Sequence, residues 1–246
     1  MNKYFKFSAI ALMATMSFGL VSCGDDDDDI KIDSTPISFF AGDKKLIEGA
    51  DTIASANKFV AYGKGNTLTG YHVGQTTVTV NGKANISVTV IPKYNLYDDP
   101  VCEWGCDLNY VKGHQNQGTV SSKSTDKMYV YENAGGASLL SYTFENGKLK
   151  SVLAMVSTNH TSTLTDYLLE RFIMAPYYEG SETYFVGLNG LDDDNAKTAI
   201  IMQVYSASYI SVYYTSSKTT ASSRSDVSYQ ALLEEKDEMV KHLNLE

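Results

Sequence analysis

Few residues in this chain could carry chemistry, and their spacing restricts what they could do. Cysteines stand at 23, 102 and 106, and histidines at 72, 114, 160 and 242. The histidines are scattered, with no His-Glu-x-x-His pair to place two imidazoles on one helical face for zinc. No Gly-x-Ser-x-Gly elbow presents a serine nucleophile, and no glycine-rich loop is built to cradle phosphate. Asp192-Asp193-Asp194-Asn195 offers oxygens in a row, but Ala196 and Lys197 fall where a calcium loop needs an oxygen ligand and a glycine. An acidic turn between strands is the simpler reading, because Asp and Asn cap turns unaided. Glu103, Asp107 and Glu170 could form a glycosidase-type acid pair only if folding brought two of them within about 5–10 Å. Glu170-Arg171 reads as a surface or rim ion pair. No catalytic residue, metal ligand or cofactor site is assigned from these residues.

The segments around Cys23 decide where such chemistry would operate. Lys3 and Lys6 precede an apolar run from Phe7 to Leu20, too short for the roughly 20 residues of a membrane-spanning helix. Residues 1–22 therefore read as an export signal. Leu20-Val21-Ser22-Cys23 resembles the lipobox of bacterial lipoproteins. The resemblance implies a mature protein that begins at Cys23, carries acyl chains on it, and is held in the membrane through it. An ordinary secretory signal with a cysteine near its end fits the same composition. Asp25, Asp26, Asp27, Asp28 and Asp29 cannot fold on themselves and make a solvated tether through residues 23–35. An acidic tract directly after the lipidated cysteine resembles the surface-export signal of Bacteroidetes lipoproteins, although here it is pure aspartate. That implies an outer-membrane, cell-surface address. Asp33-Ser34-Thr35 and Asp51-Thr52-Ile53 resemble the short O-glycosylation sites of the same group.

Composition narrows the partners. Loss of residues 1–22 removes two lysines and takes the formal net charge from −9 to −11. With no basic cluster to offset that balance, nucleic acid is excluded as a partner. Eighteen tyrosines against one tryptophan, with many valines and threonines, point to a mainly β protein.

Residues 36–92 carry short alternating runs punctuated by glycines. The clearest are Gly74–Val80 and Ala84–Val90, joined at Asn81-Gly82, which predict a β-hairpin with Val78 and Val80 over the same core as Ile86, Val88 and Val90. The pair resembles the last strands of BIG2, a bacterial Ig-like family. The resemblance implies a β-sandwich that acts as a spacer and usually has no catalytic residues.

Residues 93–100, with Pro92 and Pro100 at their ends, read as a polar linker. Cys102-Glu103-Trp104-Gly105-Cys106 follows. Two readings of its cysteines stand: a disulfide closing a tight loop in an oxidising envelope, or two small buried side chains. Trp104-Gly105 and Val111-Lys112 are similar to the opening of uncharacterised α+β domains that follow Ig-like modules in Bacteroidetes lipoproteins. Asp107 is placed to cap a short helix ending at Gly113, and Trp104 to anchor a core. A second hairpin is predicted around Asn146-Gly147, a helix from Leu164 to Ile173 stopped by Pro176, and strands at 127–132, 184–188, 199–205 and 209–215. Residues 101–217 then form an α+β domain, an antiparallel sheet with helices on one side. Residues 218–246 supply a Ser/Thr-rich loop and a helix whose stripe of Leu232, Leu233, Met239, Val240 and Leu243 docks on the protein itself. The expected function is a non-enzymatic, lipid-anchored envelope protein whose Ig-like stalk presents an α+β head to a glycan or protein. A structural component of the envelope is the alternative, and a hydrolase with an unrecognised site is the third reading.

Overall fold

The computed structural model describes residues 32–179, 182–191 and 195–218, with Lys236, Asp237, Met239, Lys241 and Leu243 of the C-terminal segment. Cys23, Asp25–Asp29, Asp192–Asp194, His242 and the remaining residues of the expected C-terminal helix lie outside them. No helix among the described residues is long and apolar enough to cross a membrane.

The first strands are β1 (Ile37–Phe40), β2 (Lys44–Leu46), β3 (Ile53–Ser55), β4 (Ala61–Lys64), β5 (Thr67–Gly70), β6 (Gly74–Val80) and β7 (Ala84–Ile91). They form a four-stranded sheet, ordered β1-β7-β6-β3, and a three-stranded sheet, ordered β2-β5-β4. Alternation in β6 and β7 puts Val78, Val80, Ile86, Val88 and Val90 on one face, where they share a core with Leu68 and Ala61 of the other sheet. The predicted hairpin forms as read. Asn81 and Gly82 both take positive φ, 50° and 68°, the backbone of a type I′ turn whose twist matches the strands. Among the described strands β1 alone runs parallel to its neighbour, with Ile37 opposite Val88 and Phe40 opposite Ile91.

The rest of the chain is built on β8 (Thr119–Val120), β9 (Met128–Ala134), β10 (Ala137–Glu145), β11 (Lys148–Ser157), β12 (Ile173–Glu179), β13 (Glu182–Leu188), β14 (Thr198–Val204) and β15 (Tyr209–Ser216), with helices α1 (Leu108–His114) and α2 (Thr161–Leu169). These strands make an antiparallel sheet ordered β12-β13-β14-β15-β11-β10-β9-β8. One face carries Leu140, Tyr142, Val152, Ala154, Val212 and Tyr214 and is covered by Val111 of α1 and by Leu164, Tyr167 and Leu168 of α2. The other carries Val130, Leu153, Met155, Ile201 and Tyr213 and is covered by Met239 and Leu243.

Several sequence expectations change. The sheet is covered on both faces and not on one, because β10, β11 and β15 are apolar on both sides and each side needs a cover. α2 ends at Leu169, and Pro176 lies inside β12. That strand is the sheet edge, where a missing N–H costs no ladder bond. Leu164, the expected first residue of the helix, is not the start of α2. The helix begins at Thr161, directly after a 3-10 turn, Thr158–His160, capped by Ser157. Asp107 does cap α1, its Oδ1 accepting from the Tyr110 amide at 2.9 Å.

The segment 93–100 is threaded into the core instead of linking two bodies loosely. Tyr97 is 3% exposed, and the Glu170 carboxylate accepts the amides of Lys93 and Tyr94 at 3.0–3.1 Å. The carbonyl of Glu170 accepts the Val73 amide of the first module at 2.7 Å. Buried carboxylate and backbone together tie the first module, the segment and α2 to one residue.

Candidate functional site

Where these parts meet lies a cavity of about 330 Å³. Asn57, Phe59 and Gln75 of the first module form one wall, and Tyr167, Arg171, Thr198, Asn189 and Tyr214 the other. Asp99, Pro100 and Cys102 of the connecting segment line it between them.

The centre of the site is an Asp–Arg pair held by tyrosines. Tyr167 lies in the last turn of α2, and Arg171 follows the C-cap Glu170 in a turn closed by its amide on the Leu168 carbonyl, which folds its side chain back over Tyr167. The Arg171 guanidinium lies 3.8 Å from the centre of the Tyr167 ring and donates from Nη1 to the Tyr167 carbonyl at 3.0 Å. It thereby combines a cation–π contact with the satisfaction of a helix-end carbonyl. Asp99 comes from the segment, and Pro100 behind it favours the extended backbone that brings it there. Asp99 Oδ1 accepts from Arg171 Nε at 2.5 Å and from the Tyr167 hydroxyl at 2.7 Å. The Arg171 side chain is only 9% exposed, whereas Asp99 is 56% exposed.

Behind the pair, the Tyr97 and Tyr214 hydroxyls lie 2.6 Å apart, and the rings of Tyr97 and Tyr167 approach to 4.6 Å. Burial pushes the phenol pKa of Tyr97, Tyr167 and Tyr214 well up, so all three stay protonated and able to donate. Asn189 Oδ1 accepts the amides of Lys197 and Thr198, which sets the β13–β14 connection, and Trp104 Nε1 donates to the Lys197 carbonyl at 3.0 Å.

The residues singled out in the sequence are placed as follows. Cys102 and Cys106 are both free thiols, so the disulfide reading is not met. Cys102 lines the cavity, as does Thr198, while Cys106 packs against the core of the large sheet. Burial pushes both thiols up, away from the nucleophilic thiolate. Glu103 is exposed, Asp107 is spent on its cap and Glu170 on two amides. Glu170 and Arg171 are not a surface pair, since both side chains are nine-tenths or more buried and Arg171 has Asp99 as its close partner. His72 stacks on Phe59 at 4.0 Å. No group of three His, Cys, Asp or Glu side chains converges among the described residues. Trp104 is half-buried against the head core.

Sequence reading missed Asp99, Arg171 and Tyr167 as partners. The available signal was the Tyr-x-x-x-Arg spacing at 167–171, across the end of a helix, and an acid directly before a proline in the connecting segment. No protein-family model, curated protein or solved structure matches this chain.

Proposed function

We propose that this is a non-enzymatic, lipid-anchored protein of the outer envelope, surface-exposed, whose Ig-like stalk presents an α+β head and whose cleft binds an extracellular glycan. The anchor and address rest on Cys23 and Asp25–Asp29. The binding reading rests on one observation: both modules and the segment between them contribute to a single cleft lined by aromatic rings, amide side chains and an Asp–Arg pair. The buried rings wall the cleft, and its planar polar groups are of the kind that orient sugar hydroxyls. The cleft holds a thiol whose reactivity burial suppresses, and its Asp is paired with Arg171. That favours binding over catalysis.

Two experiments test this. Labelled palmitate should enter the wild-type protein and not Cys23→Ser, and protease should remove the protein from intact cells. Full-length protein in detergent should bind members of a glycan array, and the cleft variant Asn57→Ala/Gln75→Ala should lose that binding. A blank array would remove the glycan reading.

One feature favours the second reading, a structural role in envelope assembly. Beside the sheet edge at β12, Leu169, Phe185 and Val204 border an apolar cavity of about 550 Å³ and remain 40–65% exposed. Cross-linking in cells that gave only monomer would count against it.

A further inference from the structure

We propose that Asp99 and Arg171 together recognise neighbouring hydroxyl groups of a neutral sugar ring. This deepens the glycan reading of the cleft and rests on it. The pair is joined at one point, Arg171 Nε to Asp99 Oδ1. No second bond closes between the outer atoms, so the two-point fork usual for such pairs is incomplete. Arg171 Nη1 is engaged by the Tyr94 and Tyr167 carbonyls. Arg171 Nη2 and Asp99 Oδ2 have no partner among the described residues, and both residues line the cavity. The cleft therefore offers one fixed donor beside one fixed acceptor.

Charge selects the ligand class. Asp99 balances Arg171, and Glu170 Oε2 lies 3.8 Å from Arg171 Nη1, so the site carries no surplus positive charge to hold an anion. An amine would meet the guanidinium. A pair of hydroxyls meets neither objection, since one donates to Oδ2 and the other accepts from Nη2. The remaining polar lining is uncharged: Asn57, Gln75, Asn189 and Thr198. At about 330 Å³ the cavity is near the lower end of small-molecule sites, about 300–1,000 Å³, and suits a short saccharide better than a folded surface.

Rigidity supports the assignment. Arg171 is held by two carbonyls and a ring, and Asp99 Oδ1 by the Tyr167 hydroxyl and Arg171 Nε, which reduces the side-chain freedom lost on binding.

The test is calorimetry or ligand-observed NMR on the full-length protein in detergent. The probes are glucose, galactose, mannose and their disaccharides, with glucuronic acid and periodate-oxidised disaccharides, in which the vicinal diols are cleaved. Neutral sugars should bind, and oxidation should abolish binding. Asp99→Asn keeps the shape, exchanges the outer acceptor for a donor, and should weaken binding by about tenfold or more. Should that variant fail to fold, the wild-type contrast between intact and oxidised sugar decides alone. Preference for glucuronic acid, equal binding of oxidised sugar, or unchanged affinity in a folded Asp99→Asn protein would each overturn the proposal. Array binding confined to acidic glycans and lost in Asn57→Ala/Gln75→Ala would leave the glycan reading standing and this assignment refuted. A blank array would end both.

Discussion

The hydroxyl of Tyr97, in the segment between the two β modules, lies 2.6 Å from that of Tyr214 in β15, and both residues are almost wholly buried. Each satisfies the other where water does not reach. Tyr97→Phe or Tyr214→Phe should therefore strand one buried hydroxyl and cost about 1–3 kcal/mol. The double Phe variant should cost less than the sum, because it removes both polar groups. Denaturant unfolding of the four proteins measures the coupling. Strict additivity would show that the pair does not act as a unit.

Glu170 should behave as a clamp. Its carboxylate accepts two amides of the connecting segment while its side chain stays about 10% exposed. Glu170→Ala should cost about 3 kcal/mol, in the upper range for bonds to a charged group. Hydrogen exchange at the Lys93 and Tyr94 amides should accelerate more than at strand amides of either module. Uniform acceleration would mean a general loss of stability instead.

Stability should rise with pH around neutrality because of His72. Burial lowers its pKa below the ordinary 6.5, partly opposed by the bond from Nδ1 to the Phe59 carbonyl. The folded imidazole thus resists protonation. Below 6.5 the unfolded chain binds more protons than the folded one, so stability is lost as pH falls through that value towards the folded pKa. Melting temperature should drop between pH 7.5 and 5.5, and His72→Gln should flatten the change. Equal slopes in both proteins would exclude this residue as the cause.

The two free thiols should differ in reactivity. Burial is the leading cause of the raised pKa of each, and Cys102 is the more strongly affected. Iodoacetamide at pH 7.5 should modify both slowly, and Cys106 before Cys102, as read by peptide mass spectrometry. Faster labelling of Cys102 would show a cleft more open than described.

Gly63 in β4 faces β3 so closely that an added Cβ would lie 2.6 Å from the Ile53 carbonyl oxygen. Gly63→Ala should cost about 1–3 kcal/mol through overpacking of the first module. Its melting temperature measures this, and a neutral result would show that the sheets can separate without penalty.

What was legible in the chain followed local rules. Asn81-Gly82 and Asn146-Gly147 announced both hairpins, because few sequences enter a type I′ turn so readily. Asp107 announced α1 through its capping bond. β2 escaped notice because Lys44, Lys45 and Leu46 are all exposed and carry no buried alternation. β12 was read as the end of a helix because Pro176 signals a stop, and only the sheet order shows that this is an edge strand among the described residues. The cleft was least legible of all. Asp99 and Arg171 stand 72 residues apart, and nothing local in either stretch reveals that they will meet. The mainly β character was visible in composition, whereas the need for cover on both faces of the large sheet emerged only once the neighbours of each strand were known.

The parallel pairing of β1 with β7 has a mechanical side. A pull on the chain ahead of Ile37, opposed by one beyond Ile91, loads the two strands along their lengths in opposite directions. Their cross-links are then strained together, in shear, whereas a hairpin pulled from its open end unzips one rung at a time. If Cys23 holds the protein to a membrane while the head grips a ligand, drag on the cell passes through this joint. Stretching single molecules between residue 32 and residue 218 should show the first module yielding at higher force than when it is pulled across β6 and β7 from residues 74 and 90.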